Sequence, residues 1–184
     1  RLKPIIGDLP KILAPINGNP FIAYLFSFLE KNGIKRITLC TGYKHGLIKE
    51  WVETSYKGNA NIKISREQTP LGTAGAIKNA EEKINSSDIF VLNGDTFINT
   101  DLRILYKKYI ALKADILLAV NSVRNSDSYG VLQLDNYGKV ISFDEKVHVN
   151  DTLMKLGNAG LYIFNRIIID LIPKNVFFSL EKEF

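Results

Sequence analysis

Between residues 20 and 120, apolar residues switch repeatedly from helical spacing to short runs, and this alternation narrows the folds open to the chain. Ile22, Leu25, Phe26 and Leu29 recur at helical intervals, and Gly33 ends that helix. Asn19 reads as its N-cap, with Pro20 at the first helical position. Residues 34–40 read as a buried strand. Ile48, Trp51 and Val52 mark a second helix, and Ile62-Lys63-Ile64 alternates as a short strand does. A third helix is predicted over 73–84, a strand over 89–92, a fourth helix through Leu102, Leu105, Tyr106 and Tyr109, and a strand over 115–120. Strands alternating with helices imply right-handed crossovers and a mostly parallel α/β sheet.

After Asn121 the pattern changes. Residues 131–134 and 140–143 are two apolar runs joined through Asp135-Asn136-Tyr137-Gly138-Lys139, a hairpin with glycine at its turn. Residues 161–164 form a further strand, and a short helix ends before Pro173. An α/β half thus leads into an α+β half.

The length suits one domain. Hydrophobic residues make up 46% and charged residues 23% of the chain, an ordinary globular composition. The net charge of +5 comes from scattered Lys and Arg, which suits small anionic ligands or a solvated surface better than nucleic acid. The single cysteine, Cys40, cannot form an internal disulfide and is expected in the core of its strand. No apolar run reaches the ~20 residues of a membrane helix, and no signal peptide is evident, so a cytoplasmic setting is expected. Arg1-Leu2-Lys3-Pro4 begins in a polar loop, and residues 180–184 stop inside the start of a helix, so the chain reads as a fragment.

Several stretches can carry chemistry. The apolar strand over 89–92 runs into Asn93-Gly94-Asp95, and ligands bind at the carboxyl ends of strands in open α/β sheets. Asp95 there either holds a metal ion against a phosphate or opens a turn or caps a helix. Leu71-Gly72-Thr73-Ala74-Gly75 lies between a strand and a helix. Its glycines would let a base or phosphate approach unpaired N–H groups, or would serve a tight turn with Gly75 needed for packing. Lys11, behind Pro10, is either a phosphate clamp on a rigid loop or a solvated lysine. Tyr129-Gly130, Glu145-Lys146 and Asn158-Ala159-Gly160 could face one polar ligand. Their ordinary roles would be a strand-edge tyrosine, a charge pair and a turn. His45 and His148 have no metal-ligand spacing, and no Ser/His/Asp arrangement shows family-like local context.

Taken in order, these stretches resemble the sugar-nucleotidyltransferase family, which makes nucleoside diphosphate sugars from sugar 1-phosphates. Arg1-Leu2 looks like the tail of the family's glycine-rich loop, and Pro10-Lys11 like its Pro-Lys pair. Residues 13–20 are similar to the family's entry into its first long helix. Residues 67–75, Glu-Gln-Thr-Pro-Leu-Gly-Thr-Ala-Gly, match its base-recognition loop, and Asn93-Gly94-Asp95 its metal-binding stretch. Tyr129-Gly130-Val131, Glu145-Lys146 and Asn158-Ala159-Gly160 match its sugar-phosphate pocket. Within the family the chain looks most like guanylyltransferases acting on D-glycero-D-manno-heptose 1-phosphate or mannose 1-phosphate. Heptose is favoured by size, by Gly18-Asn19-Pro20-Phe21 and by Phe178-Ser179-Leu180-Glu181.

The resemblance implies one nucleotidyltransferase domain over residues 1–184, truncated at both ends. It implies a Rossmann-like sheet with a small α+β sugar-binding extension, without its first strand and C-terminal part. A sugar 1-phosphate would attack the α-phosphate of a nucleoside triphosphate, GTP by preference, and release pyrophosphate. Mg²⁺ would sit on Asp95, the second metal-binding aspartate falling beyond Phe184. Arg1 and Lys11 would offset phosphate charge and, with Asp95, form the catalytic set. Glu67, Gln68, Gly72, Thr73 and Gly94 would join them at the nucleotide. Tyr129, Gly130, Glu145, Lys146, Asn158 and Gly160 would hold the sugar phosphate. The fragment itself would be poorly soluble or molten, and inactive. No nucleic acid or membrane partner is implied, and self-association is left open. The rival from another class is a non-catalytic subunit that binds a nucleotide sugar. A dinucleotide enzyme ranks below it, because no Gly-x-Gly-x-x-Gly follows a strand.

Overall fold

The computed structural model describes residues 6–123, 130–144 and 155–183, so Arg1, Tyr129, Glu145, Lys146 and His148 lie outside the described residues. A short 3₁₀ turn over Lys11–Leu13 precedes two strands of two residues each, β1 (Pro15–Ile16) and β2 (Asn19–Pro20). Asn17 and Gly18 both have positive φ, the backbone of a tight hairpin, and they pair Ile16 with Asn19. Asn19 is therefore a strand residue rather than the expected cap, and helix α1 (Phe21–Lys31) starts with no side-chain cap. Gly33 ends that helix at φ +81°, as its position implies.

β3 (Arg36–Thr41) and β4 (Asn61–Arg66) flank α2 (His45–Thr54) and pair in parallel over all six residues. Helix α3 (Gly72–Asn79) is shorter than its periodicity suggests, and Glu81–Lys83 continues as a 3₁₀ turn. β5 (Asp88–Leu92), α4 (Leu102–Leu112) and β6 (Ile116–Val123) follow. Asp101 caps α4 by accepting a hydrogen bond from Arg103 N at 2.8 Å. The hairpin of β7 (Val131–Leu134) and β8 (Val140–Asp144) closes on Gly138, with Asp135 Oδ1 accepting from the backbone of Tyr137 and Lys139.

The strand that organises the second sheet is β9 (Lys155–Asn165), longer than the four residues its apolar run suggests. It is antiparallel to β5, β6 and β7, which makes β5 and β6 parallel to each other. β6 takes one edge of β9. The other edge is shared end to end, with β7 against Leu156 and Gly157 and β5 from Leu161 onward. At the junction β9 bulges opposite Ala119, and Gly160 takes φ +70°.

Alternation sends Tyr162 and Phe164 to one face of this sheet, where they meet Ala74 and Ile77 of α3 and Ile168, Ile169 and Ile172. Leu161 goes to the other face, against Leu102 of α4 and Phe28 of α1. A third cluster of Ile22, Phe26, Ile37 and Ile48 joins α1 and α2 to β3, with Trp51 half-buried against it. Each fully buried side chain of this size is worth about 1.5–3 kcal/mol, and Ile22, Leu161 and Phe164 are wholly covered. Cys40 departs from expectation. It is exposed by area, because β3 has only β4 as a partner among the described residues. Protein atoms still crowd its thiol, and desolvation with the nearby Glu67 charge pushes it up to about 11. It is no thiolate at neutral pH.

Candidate functional site

The junction on β9 is where the candidate residues converge. Asn93 N, just past the end of β5, donates to Gly160 O at 2.9 Å, and Asn158 N donates to Gly130 O at 3.0 Å, just before β7. One bulge thus holds the carboxyl end of β5 and the start of the hairpin on either side of residues 158–160. Asn158 lies within a strand here and also makes the local side-chain contact of an Asx turn. Its Oδ1 accepts from Gly160 N at 2.7 Å and its Nδ2 donates to the Tyr162 hydroxyl at 2.6 Å. A Cβ at Gly160 would lie 2.7 Å from Asn93 Nδ2, so the close approach and the positive φ both require glycine.

A cleft of about 630 Å³ opens beside this junction, and its walls include Gly72, Thr73, Asp95, Gly130 and Asn158. Five residues from four separate stretches of the predicted set therefore share one concavity. Phe97, Phe143 and Phe177 add aromatic surface, and Asn121, Ser179 and Glu181 add polar groups. None of these six stands out in the sequence as a site residue. The Ser179-x-Glu181 pattern of a short helix start was the one available signal for the last two.

Asp95 stands at the strand end, about half exposed, and Lys11 Nζ donates to its Oδ2 at 3.0 Å. The Lys11 loop reaches this point because Leu13 and Ala14 close 3₁₀ bonds to Pro10 and Lys11. Gly94 faces Ile12, whose Cδ1 would be 3.3 Å from a Cβ at that position.

The start of α3 differs from the sequence expectation. Ala74 N and Gly75 N donate to Phe178 O at 3.0 and 3.1 Å, so those two N–H groups are not open to a base or phosphate. A Cβ at Gly75 would lie 2.8 Å from Val176 O, which makes it a packing glycine. Gly72 has φ +73°, and a Cβ there would lie 2.6 Å from Phe178 O. Glu67 does not join the cleft. Its carboxylate accepts from Leu71 N at 3.2 Å and closes the loop over 67–71, on which Gln68 is exposed.

Behind Thr73 lies a carboxylate that accepts hydrogen bonds from three hydroxyls. Glu181 Oε2 accepts from Ser179 Oγ at 2.6 Å and Thr73 Oγ1 at 3.0 Å, and its Oε1 accepts from Tyr162 OH at 2.6 Å. Burial opposes the charge, but these hydroxyls and its own backbone N–H outweigh it and hold the carboxyl below its ordinary range. Burial and the same carboxylate push the Tyr162 phenol up. His45 lies apart, its Nδ1 2.8 Å from Thr41 Oγ1. Among the described residues no group of three His, Cys, Asp or Glu side chains is placed to hold a metal ion, and no helix is long and apolar enough to cross a membrane.

A cleft at strand ends, bounded by a glycine loop on one side and a hairpin on the other, is the geometry of a nucleotide-handling α/β enzyme. The nucleotidyl transferase family model matches residues 1–182, and the chain belongs to that family of enzymes. A D-glycero-alpha-D-manno-heptose 1-phosphate guanylyltransferase of Aneurinibacillus thermoaerophilus is 38% identical over 184 residues, spanning 100% of this chain and 78% of the relative. The enzyme of the same name from Campylobacter jejuni subsp. jejuni serotype O:2 is 40% identical over 182 residues, 99% of this chain and 78% of its own length. Among solved structures, HddC from Yersinia pseudotuberculosis superposes with a TM-score of 0.88 at 35% identity, covering 100% of this chain and 79% of that one. A second structure of it, complexed with GMP-PN, gives 0.84 at 34% identity with the same coverage.

Proposed function

We propose that this chain is the transferase domain of a guanylyltransferase, joining D-glycero-D-manno-heptose 1-phosphate to GTP with release of pyrophosphate. The observation that carries the reading is the meeting of Lys11 with Asp95, which lines one cleft with Gly72, Thr73, Gly130 and Asn158. The names of the relatives from A. thermoaerophilus and C. jejuni support heptose over mannose. The nucleotide complex of HddC supports a guanine nucleotide. A cytoplasmic place of action goes with GTP as donor.

The nucleophile in such a reaction is already an anionic phosphate and needs no general base. The barrier is charge repulsion and alignment, so catalysis is electrostatic and positional. Lys11 and Asp95 offset each other in the free chain. An exposed pair of this kind is worth at most about 1 kcal/mol, so Lys11 can turn to a phosphate at little cost. Asp95 is a hard oxygen donor, and among the described residues no group of three His, Cys, Asp or Glu side chains is placed to cage an ion around it. That suits Mg²⁺ as an ion shared with substrate phosphates rather than one caged by the chain. Bound to Asp95, it would supply charge neutralisation at the phosphates. Gly72 and Thr73 take the nucleotide side of the cleft, and Gly130, Asn158 and Gly160 the sugar side. Arg1, Tyr129, Glu145 and Lys146 enter this reading on the family resemblance alone. Pyrophosphate release by the full-length enzyme, with GTP, UTP and ATP against heptose, mannose and glucose 1-phosphates, tests it. GTP with heptose 1-phosphate is the expected pair, and no release with any pair would overturn it.

A further inference from the structure

We infer that Glu181 is a positioning residue whose carboxylate clasps the two sides of the cleft together, tying Thr73 at the start of α3 to the bulge at Asn158–Gly160. The assignment of nucleotide and sugar to these sides rests on the function proposed above. The clasp itself rests on a continuous run of hydrogen bonds. Leu180 N donates to Thr73 Oγ1 at 2.8 Å, and Thr73 Oγ1 donates to Glu181 Oε2 at 3.0 Å. Tyr162 OH donates to Glu181 Oε1 at 2.6 Å and accepts from Asn158 Nδ2 at 2.6 Å. Asn158 Oδ1 accepts from Gly160 N at 2.7 Å, and Gly160 O accepts from Asn93 N at 2.9 Å. Asn93 is two residues from Asp95. The run therefore joins the nucleotide loop, the sugar side and the segment bearing Asp95.

Its middle is protected from water. Tyr162 is only 4% exposed, so its phenol has no solvent to fall back on. Bonds to a carboxylate are shorter and stronger than neutral ones, and linked bonds polarise one another. Three hydroxyls on two carboxylate oxygens leave Glu181 little capacity for a substrate hydroxyl. This separates it from a residue that reads the sugar directly. The consequence is energetic coupling. A nucleotide seated against Gly72 and Thr73 steadies Thr73, and through Glu181 and Tyr162 it steadies Asn158 and Gly160. The sugar phosphate then binds tighter to the nucleotide-loaded enzyme, and by reciprocity the nucleotide binds tighter in the presence of the sugar phosphate.

The test uses Tyr162→Phe in the full-length enzyme, which cuts the run at its centre and keeps the ring in the core. Glu181→Gln is the second variant should the first fail to fold. Three quantities are read: steady-state KM and kcat by pyrophosphate release, binding of heptose 1-phosphate with and without a non-hydrolysable GTP analogue, and amide hydrogen exchange in the ligand-free protein. The wild type is expected to bind heptose 1-phosphate at least about fivefold tighter with the analogue present, the lower end of ordinary coupling. In Tyr162→Phe that factor falls to near one and the KM for heptose 1-phosphate rises about tenfold with kcat little changed. Exchange at residues 158–160 speeds up without ligand. Unchanged exchange at 158–160 together with an unchanged coupling factor would overturn the clasp. A wild type that releases no pyrophosphate from GTP and heptose 1-phosphate would overturn the proposed function instead, and the ligand-free exchange of the variant would still decide the clasp.

Discussion

Lys11 and Asp95 are 84 positions apart and meet at 3.0 Å, both open to solvent over about half or more of the side chain. Neither residue is buried, and neither is needed to fill a core. A lysine on a proline-stiffened loop and a carboxylate at a strand end have been brought together where a charged ligand can separate them.

Asp95→Asn keeps the shape of that end and removes its charge. In the full-length enzyme, turnover at saturating Mg²⁺ is expected to fall about a hundredfold or more, the scale of about 3 kcal/mol for one preorganised electrostatic contact. The melting temperature should hardly move, since an exposed ion pair contributes about 1 kcal/mol or less. Steady-state kinetics beside a melting curve checks both halves. Near-normal turnover would remove Asp95 from the reaction.

Gly72→Val acts on the backbone. Gly72 sits at φ +73° with Phe178 O at 2.6 Å from its would-be Cβ. The left-handed conformation alone costs about 1–2 kcal/mol for a residue with a side chain. The variant is expected to melt lower and to loosen the segment over 176–180 from α3, which limited proteolysis reads directly. A wild-type melting curve with weakened GTP binding would show instead that the glycine serves only the base.

Gly160→Ala meets the same two penalties, φ +70° and Asn93 Nδ2 at 2.7 Å. Because Gly160 O also receives Asn93 N, the strain reaches the segment that carries Asp95. Lower kcat and lower thermal stability are expected together, measured by initial rates and calorimetry. Loss of either one alone contradicts this placement.

The pH dependence of stability has a definite sign at Glu181. Its folded carboxyl is held below the ordinary range, so the bound proton is disfavoured in the native state. Its contribution is complete above the free value of about 4.3 and is lost as pH falls through the lower folded value. Melting temperature should therefore drop on acidification below about pH 4 more steeply in the wild type than in Glu181→Gln. Parallel curves for the two proteins would show that Glu181 is not held as described.

The alternation of helix and strand was legible because it depends on period, and α1 to α4 and β3 to β6 follow it. The hairpin on Gly138 was legible from its turn chemistry. Asn17-Gly18 carries a two-residue hairpin signal that the cap reading of Asn19 left unused. Cys40 was placed in the core because an apolar strand implies cover, but the number of partners a strand gains is set by the whole sheet. The strand over 161–164 was legible, but the same limit hid its full length and its antiparallel place between β5 and β6, which is a matter of topology and not of local pattern. At the site, glycines and charged residues in short motifs stood out. Glu181, Tyr162 and Phe177 did not, because their importance comes from which residues the fold brings beside them.

We propose that the cleft beside Lys11 and Asp95 serves guanylyl transfer to a heptose 1-phosphate. The most direct measurement is kcat/KM for pyrophosphate release by the full-length enzyme with GTP and Mg²⁺, comparing D-glycero-D-manno-heptose 1-phosphate with mannose 1-phosphate, in the wild type and in Lys11→Met. A preference for the heptose of about tenfold or more is expected, on the scale that one extra contacting group can supply. A large loss for both sugars is expected in Lys11→Met. Equal use of the two sugars would contradict the substrate assigned, and full activity in Lys11→Met would contradict the site.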